Sequence, residues 1–113
     1  QVSLMEYCKK LALYQQKKFA EAKEFYIKAI ELDSSRAGRF FSLAQTFHEL
    51  QEFDQALRHF LKAIELDVKN IDYLVTLAQF YHDREMLAEK QKLLEEILLL
   101  DPGNEVAMEM KHG

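Results

Sequence analysis

Residues 40–49 read FFSLAQTFHE, and residues 74–83, 34 positions further along the chain, read LVTLAQFYHD. A second segment recurs at the same offset, because KAIELD occupies residues 28–33 and again residues 62–67. Two independent segments therefore agree on one period. A fixed period of about 20–50 residues is the sequence signature of a repeat protein, in which each copy forms one structural unit.

Each copy has the apolar spacing of two helices joined by a short turn. In the first helix of the middle copy, apolar residues follow the i, i+3, i+4, i+7 spacing of an amphipathic helix. They are Phe40, Leu43, Ala44, Phe47 and Leu50. A second stripe begins after residues 52–54 and consists of Ala56, Leu57, Phe60, Ala63 and Ile64. A turn this short brings the second helix back antiparallel to the first, so each copy is predicted to be a helical hairpin.

This pattern resembles the tetratricopeptide repeat family, whose unit of about 34 residues is a helix, a turn and an antiparallel helix. The middle copy matches the family's large and small positions at Phe40, Leu43, Ala44, Phe47, Ala56, Phe60 and Ala63. The third copy matches at Leu74, Leu77, Ala78 and Tyr81, and it ends on the family's usual Asp101-Pro102-Gly103-Asn104. The resemblance implies an all-α fold, a right-handed superhelical stack of antiparallel helix hairpins known as an α-solenoid.

The repeat predicts a single domain over residues 1–113, with one unit in each period. The units span approximately residues 3–36, 37–70 and 71–104, and residues 105–113 begin a truncated capping helix. Helices are predicted near residues 3–16, 19–32, 36–50, 53–66, 70–83 and 86–100. Asp54, Asn70 and Asn104 stand where helix N-caps are expected.

The first helix fits the repeat least well. If the frame is carried back unchanged, core positions fall on Glu6, Lys9 and Lys10. A slip of one residue instead brings Tyr7, Leu11 and Tyr14 into register. We favour this slip, which requires a turn around residues 16–18.

Composition excludes several functional classes. The 113 residues carry a formal net charge of −4, and the basic residues are interspersed with acidic ones, so no nucleic-acid footprint is present. The apolar run at residues 97–100 is too short to cross a bilayer, and the single cysteine, Cys8, rules out an internal disulfide. The default expectation is a soluble, cytoplasmic protein. Because the chain begins at Gln1, a trimmed targeting segment stays open.

The sequence offers no arrangement typical of an enzyme, a cofactor site or a metal site. His48-Glu49 and His82-Asp83 are sequence neighbours, and neighbouring side chains on a helix point about 100° apart. A metal shared by His48 and His82 would need nitrogens about 2 Å from the ion, although stacked helices lie roughly 8–10 Å apart. We therefore expect neither catalysis nor a bound cofactor or metal.

A partner-binding surface is the remaining expectation. In stacked hairpins the first helices line the concave surface on which such proteins usually bind their ligands. The residues of this predicted partner face are Tyr7, Leu11, Tyr14, Phe41, Gln45, His48, Glu49, Asp72, Val75, Gln79, His82 and Asp83. Its amides suit a peptide backbone, and its carboxylates favour a neutral or basic protein or peptide. The alternative is that these side chains only form the solvent-exposed surfaces of their helices and bind nothing.

One branch of the family binds the acidic C-terminal tails of heat-shock chaperones through a clamp of Lys, Asn and Arg side chains. Here the corresponding positions of the second and third units hold Ser42, Gln45, Asp72 and Thr76. Without cations to pair with the terminal carboxylate, such a tail would meet acidic side chains. The sequence therefore predicts that this chain does not bind chaperone tails.

A second hypothesis is that the chain is an oligomerisation or assembly segment of a longer protein. The third unit has Lys90 and Ile97 where the second has the small Ala56 and Ala63, so its hairpin is expected to splay. The capping segment after residue 104 is also short. An exposed C-terminal edge is then predicted to mediate self-association through Leu93, Leu94, Ile97 and Leu98.

Overall fold

The computed structural model describes the backbone of residues 4–112 and the side chains of residues 15–111. All regular elements within that range are helices, which confirms the predicted all-α class. They are α1 (Leu4–Leu32), α2 (Ala37–Glu49), α3 (Phe53–Leu66), α4 (Ile71–Asp83), α5 (Leu87–Leu100) and α6 (Glu105–His112). The chain divides into two compact units, Gln1–Leu66 and Asp67–Gly113. We call them unit 1 and unit 2, and they differ from the three predicted repeat units.

The core of unit 1 lies where α2 packs against α3, and α1 also packs on α2. Both predicted apolar stripes contribute to it. The buried members are Phe40, Leu43, Ala44, Phe47, Ala56, Phe60 and Ala63. The three alanines are 0% exposed, as expected if small side chains allow the two helix backbones to approach closely. The predicted α2–α3 hairpin is confirmed.

In unit 2, α4 packs on α5, and α5 packs on α6. The buried apolar residues of α4 are Leu74, Leu77, Ala78, Phe80 and Tyr81, which include the predicted stripe. Ala107 of α6 is 0% exposed, so the short last helix shields part of α5 from solvent. Unit 2 is therefore a helical hairpin followed by a short helix that packs on α5.

The prediction of an exposed C-terminal edge is wrong. Leu93, Leu94 and Ile97 are only 7%, 1% and 0% exposed, and Leu98 is half-buried. The physical reason is that α5 packs against both α4 and α6, so the two turns of α6 help to cover this helix. Lys90 is also buried, and its ammonium lies 3.1 Å from Nδ1 of His82.

The two predicted helices at 3–16 and 19–32 form one continuous helix, α1, so the turn expected around residues 16–18 is absent. Gln15, Gln16, Lys17 and Lys18 are all good helix formers, and neither Gly, Pro nor Asn interrupts them. Adding residues to an existing helix is cheap once it has nucleated. A turn there would have to be enforced by tertiary contacts.

The turns after α2 and α4 have the same backbone conformation. Gln51 (φ 63°) and Glu85 (φ 59°) adopt the left-handed conformation one residue beyond the C-caps. The amide of Glu52 donates to the carbonyl of Phe47, and that of Met86 donates to the carbonyl of Tyr81. These are Schellman motifs, which satisfy carbonyls that the helix ends would otherwise leave unpaired.

Asparagine side chains cap the N-termini of α4 and α6. Oδ1 of Asn70 accepts from the amide of Tyr73 at 3.1 Å, and Oδ1 of Asn104 accepts from the amide of Ala107 at 2.9 Å. Both predicted caps are confirmed. The predicted cap Asp54 is wrong, because α3 already begins at Phe53 and Asp54 lies within its first turn. A carboxylate there still interacts favourably with the helix dipole.

Candidate partner-binding face

The α2 part of the predicted partner face contains two exposed and two half-buried side chains. Gln45 and Glu49 are exposed to solvent. Phe41 is half-buried, with its ring edge-on to Phe60 at 5.7 Å. His48 is half-buried too, with its ring 5.6 Å from that of Phe53. The aromatic members therefore take part in α2–α3 packing, and the polar members are the ones accessible to a ligand.

A cleft of about 220 Å³ lies between α1 and α2, and we call it the α1–α2 cleft. It is lined by Phe19, Tyr26, Ser42, Gln45, Thr46 and Glu49. Thr46 is buried, and its hydroxyl donates to the carbonyl of Ser42 at 2.9 Å. The wall of the cleft therefore presents an internally bonded hydroxyl and two aromatic rings, with an amide and a carboxylate at its α2 side.

Four of the residues that line this cleft were absent from the predicted partner face: Phe19, Tyr26, Ser42 and Thr46. A signal for the α2 members exists in the sequence. Ser42, Gln45, Thr46 and Glu49 follow the i, i+3, i+4, i+7 spacing of a helix face. Because all four are polar, a search for apolar periodicity does not register them.

Lys23 lies on α1 between the two aromatic residues of the cleft. Its ammonium is 3.6 Å from Oε2 of Glu52 and 5.8 Å from the centre of the Phe47 ring. These contacts connect α1 to the end of α2 and the following turn. A partly exposed pair of this kind contributes on the order of 0–1 kcal/mol to stability. Its main effect is to set the position of the lysine beside the cleft.

Two larger clefts occur elsewhere on unit 1. One of about 430 Å³ is formed by residues 51–55 around the α2–α3 turn. The other, of about 410 Å³, is lined by Phe40, Arg58, His59, Leu61, Lys62 and Glu65. His59 covers the core there, since its ring lies 6.2 Å from that of Phe40 and 5.0 Å from that of Phe47. Neither cleft contains a residue of the predicted partner face.

In unit 2, the predicted face is polar and accessible. Asp72, Gln79, His82 and Asp83 are exposed, and Val75 is half-buried. His82 is also the neighbour of the buried Lys90 ammonium, so its ring helps to satisfy a cation inside the α4–α5 packing. Three of the predicted residues, Tyr7, Leu11 and Tyr14, have side chains outside the described range.

Among residues 15–111, pKa values are clearly shifted at two sites. The hydroxyl and the amide of Ser35 donate to Asp33, and Arg36 lies beside it, which together lower the pKa of the Asp33 carboxyl to about 2. Burial raises the pKa of the Tyr81 phenol, and the nearby Glu89 carboxylate adds to the increase. Asp33 belongs to the α1–α2 turn and Tyr81 to the unit 2 core, so both groups contribute to the structure of the fold.

Clusters of three or more metal-binding side chains are absent from the described part of the chain. Among the helices between residues 4 and 112, none has the length and apolarity needed to cross a membrane. Antiparallel helices with small residues at their close contacts, repeated at a fixed interval, define a helical-hairpin repeat protein.

Comparisons with known proteins agree with this class. Residues 39–104 match the family model described as YpiA-like, C-terminal tetratricopeptide repeats, and residues 11–36 match a tetratricopeptide repeat model. The chain belongs to the tetratricopeptide repeat family. Proteins of this family are in general scaffolds and not enzymes. A search of the curated proteins finds no significant match.

Two solved structures are similar to the chain over most of its length. The Arabidopsis OM64 TPR domain is 28% identical with a TM-score of 0.71, over 89% of this chain and 84% of that domain. The second TPR domain of human RPAP3, solved by NMR in complex with the HSP70 peptide SGPTIEEVD, is 25% identical with a TM-score of 0.71. That match covers 86% of this chain and 81% of that chain. These likenesses are consistent with an α-solenoid and support a protein-interaction role.

Proposed function

We propose that the chain is a non-enzymatic scaffold that binds a peptide or protein segment on the predicted partner face. The observation that carries the proposal is the accessibility of its polar side chains: Gln45 and Glu49 on α2, and Gln79 and Asp83 on α4, are all exposed. Gln45 and Gln79 occupy equivalent positions of successive repeats. In each repeat, the exposed amide suits hydrogen bonding to a backbone group of a peptide.

The chemistry of these side chains restricts the ligand. Each glutamine amide can donate to a peptide carbonyl and accept from a peptide N–H. Glu49 and Asp83 place carboxylates one helical turn from the glutamines, so a nearby lysine or arginine of the ligand would gain a charge-assisted hydrogen bond. A neutral or basic segment is therefore the partner that this surface fits best.

The proposal is tested by affinity capture with a triple variant, Gln45→Ala, Glu49→Ala and Gln79→Ala. All three side chains are exposed, so the variant is expected to fold and melt like the wild type. Proteins that bind the face should be retained by the wild type and lost from the variant. Quantitative mass spectrometry of the eluates makes the comparison.

A matched control places three substitutions on exposed residues of α3, namely Gln55→Ala, Arg58→Ala and Glu65→Ala. These residues belong to the two larger clefts of unit 1. The control should capture the same proteins as the wild type. If the control lost its partners while the face variant retained them, the partners would bind on α3 and the proposal would be wrong.

A further inference from the structure

We propose that two copies of the chain exchange their N-terminal segments, with residues 4–16 of each copy packed in the α1–α2 cleft of the other. The site is the cleft beside Phe19, Tyr26, Ser42 and Thr46. The occupant is the first half of α1 from a second molecule. This surface is separate from α5, where sequence analysis placed self-association.

The path of α1 keeps residues 4–16 away from the cleft of their own chain. Contacts between α1 and α2 run antiparallel: Arg39 donates to the carbonyl of Ala29, and Phe19 shares the cleft with Glu49. The C-terminal end of α2 therefore lies level with Phe19. A helix rises about 1.5 Å per residue, so Leu4 lies about 22 Å beyond that level along an uninterrupted helix. A segment that does not turn back cannot fill the cleft beside it.

The repeat pattern indicates what the cleft accommodates. In both observed hairpins an apolar helix stripe packs on the helix that follows it. The second half of α1 corresponds in sequence to α3, because KAIELD at residues 28–33 matches residues 62–67. A helix equivalent to α2 would therefore be expected to pack against this half of α1. Residues 4–16 occupy that place in the sequence, but the continuous α1 carries them past it.

The composition of the segment suits the cleft. Leu4, Tyr7, Leu11 and Tyr14 follow a helical spacing that forms one apolar stripe. The cleft offers two aromatic rings on which an apolar stripe could pack, and the buried Thr46 hydroxyl is already bonded within α2. Its other polar groups include the Gln45 amide and the Glu49 carboxylate, both on exposed residues at the α2 side.

Charge favours the same occupant. The exchanged residues 4–16 contain two lysines and one glutamate, a formal charge of +1. Glu49 stands exposed at the side of the cleft. A carboxylate at this position would attract a segment of positive charge. If the two copies are related by a two-fold axis, residues 4–16 of each copy fill the cleft of the other. Such an exchange is a low-cost route to a dimer.

The experiment measures the mass of the full chain by light scattering and sedimentation equilibrium from micromolar to millimolar concentration. The wild type should approach twice the monomer mass as concentration rises. Leu11→Glu places a charge in the apolar stripe and should raise the dimer dissociation constant by about tenfold or more. Ala12→Glu makes the same change about 100° around the helix and should leave the dimer intact.

A second pair of variants tests the continuity of α1. Gln16→Gly with Lys17→Asn introduces residues that favour a turn, so residues 4–16 should fold back into their own cleft and the chain should become monomeric with its helix content retained. Gln91→Gly with Lys92→Asn makes the same two changes at exposed positions of α5. That control should lower stability and keep the dimer.

Cross-linking identifies the exchanged segment. Chains with natural and ¹⁵N-labelled nitrogen are mixed, unfolded and refolded together, then treated with an amine-reactive linker. Cross-links that join Lys9 or Lys10 to Lys23 should connect one unlabelled and one ¹⁵N-labelled peptide as often as they connect two peptides with the same label. A wild type that stays monomeric throughout, a dimer insensitive to Leu11→Glu, or links without mixed labels would each overturn the proposal.

Discussion

At the residue scale, two residues adopt an unfavourable backbone conformation just beyond the ends of α2 and α4. Gln51 and Glu85 adopt positive φ angles of 63° and 59°, a conformation that costs an L-residue about 1 kcal/mol and costs glycine almost nothing. Neither position was recognised in the sequence, because glutamine and glutamate carry no turn signal. Their conformation belongs to the Schellman motifs, in which the residue after the C-cap is left-handed.

Gln51→Gly should therefore raise the free energy of unfolding by about 0.5–1 kcal/mol. Urea denaturation measures this as a higher midpoint with an unchanged slope. Gln55→Gly is the control, since it makes the same change at an exposed position inside α3 and should lower the stability by about 1 kcal/mol. Equal destabilisation by both variants would contradict the assigned backbone conformation.

Asp33 makes stability depend on pH. Its folded-state pKa of about 2 lies below the ordinary value of 3.8, chiefly because the Ser35 hydroxyl donates to the ionised carboxylate. The contribution is fully present above pH 3.8 and is lost as pH falls towards about 2.

The expected result is that unfolding midpoints measured across this acid window fall less steeply for Asp33→Asn than for the wild type. Ser35→Ala removes the hydroxyl donor and should flatten the same part of the curve. Identical pH profiles for all three proteins would contradict this account of the α1–α2 turn.

At the element scale, the turns between hairpins differ in how they begin the next helix. Asn70 and Asn104 cap α4 and α6, and each also donates to an aspartate three residues earlier, Asp67 or Asp101. The equivalent residue before α2 is Arg36, which contacts Asp33 but provides no side-chain cap. The turns before α4 and α6 therefore share one asparagine-capping motif, and the turn before α2 lacks it.

Asn70→Ala should destabilise the protein by about 1 kcal/mol, because the amide of Tyr73 loses its acceptor. Arg36→Ala is the matched comparison and should change stability by less than about 0.5 kcal/mol, since only an exposed ion pair is lost. Thermal and urea denaturation measure both. An Arg36→Ala effect as large as that of Asn70→Ala would contradict the assigned capping.

At the scale of the whole molecule, charge discriminates between ligands. The chain has a net charge of −4, and Glu49, Asp72 and Asp83 are exposed on the predicted partner face. The RPAP3 domain binds the peptide SGPTIEEVD, which is acidic. A ligand of that charge would meet carboxylates here, and Ser42, Gln45, Asp72 and Thr76 would offer it no cation.

Isothermal titration of this chain with SGPTIEEVD should therefore show no saturable binding. The second TPR domain of RPAP3 serves as the positive control, because its complex with this peptide has been solved. Saturable binding by this chain would mean that other cations receive the acidic peptide, and the proposed preference for neutral or basic partners would then be wrong.

The sequence by itself determined the helical-hairpin repeat and the core of the α2–α3 hairpin. Phe47, Phe60 and the buried alanines are readable because a helix returns to the same face every 3.6 residues, so burial leaves a periodic trace in the residue order. The asparagine caps were predictable for a similar reason, since the side chain bonds to an amide three residues away.

Only the tertiary structure decided the remaining features: the continuity of α1, the burial of Leu94 and Ile97 under α6, the packing of Phe41 on Phe60, and the α1–α2 cleft. The last three depend on contacts between different helices, whereas α1 is continuous along a run of good helix formers in which a tertiary contact would have had to enforce a turn. A run such as Gln15–Lys18 suits a helix and tolerates a turn, so its local preferences leave the outcome to whatever the neighbouring segments can bury.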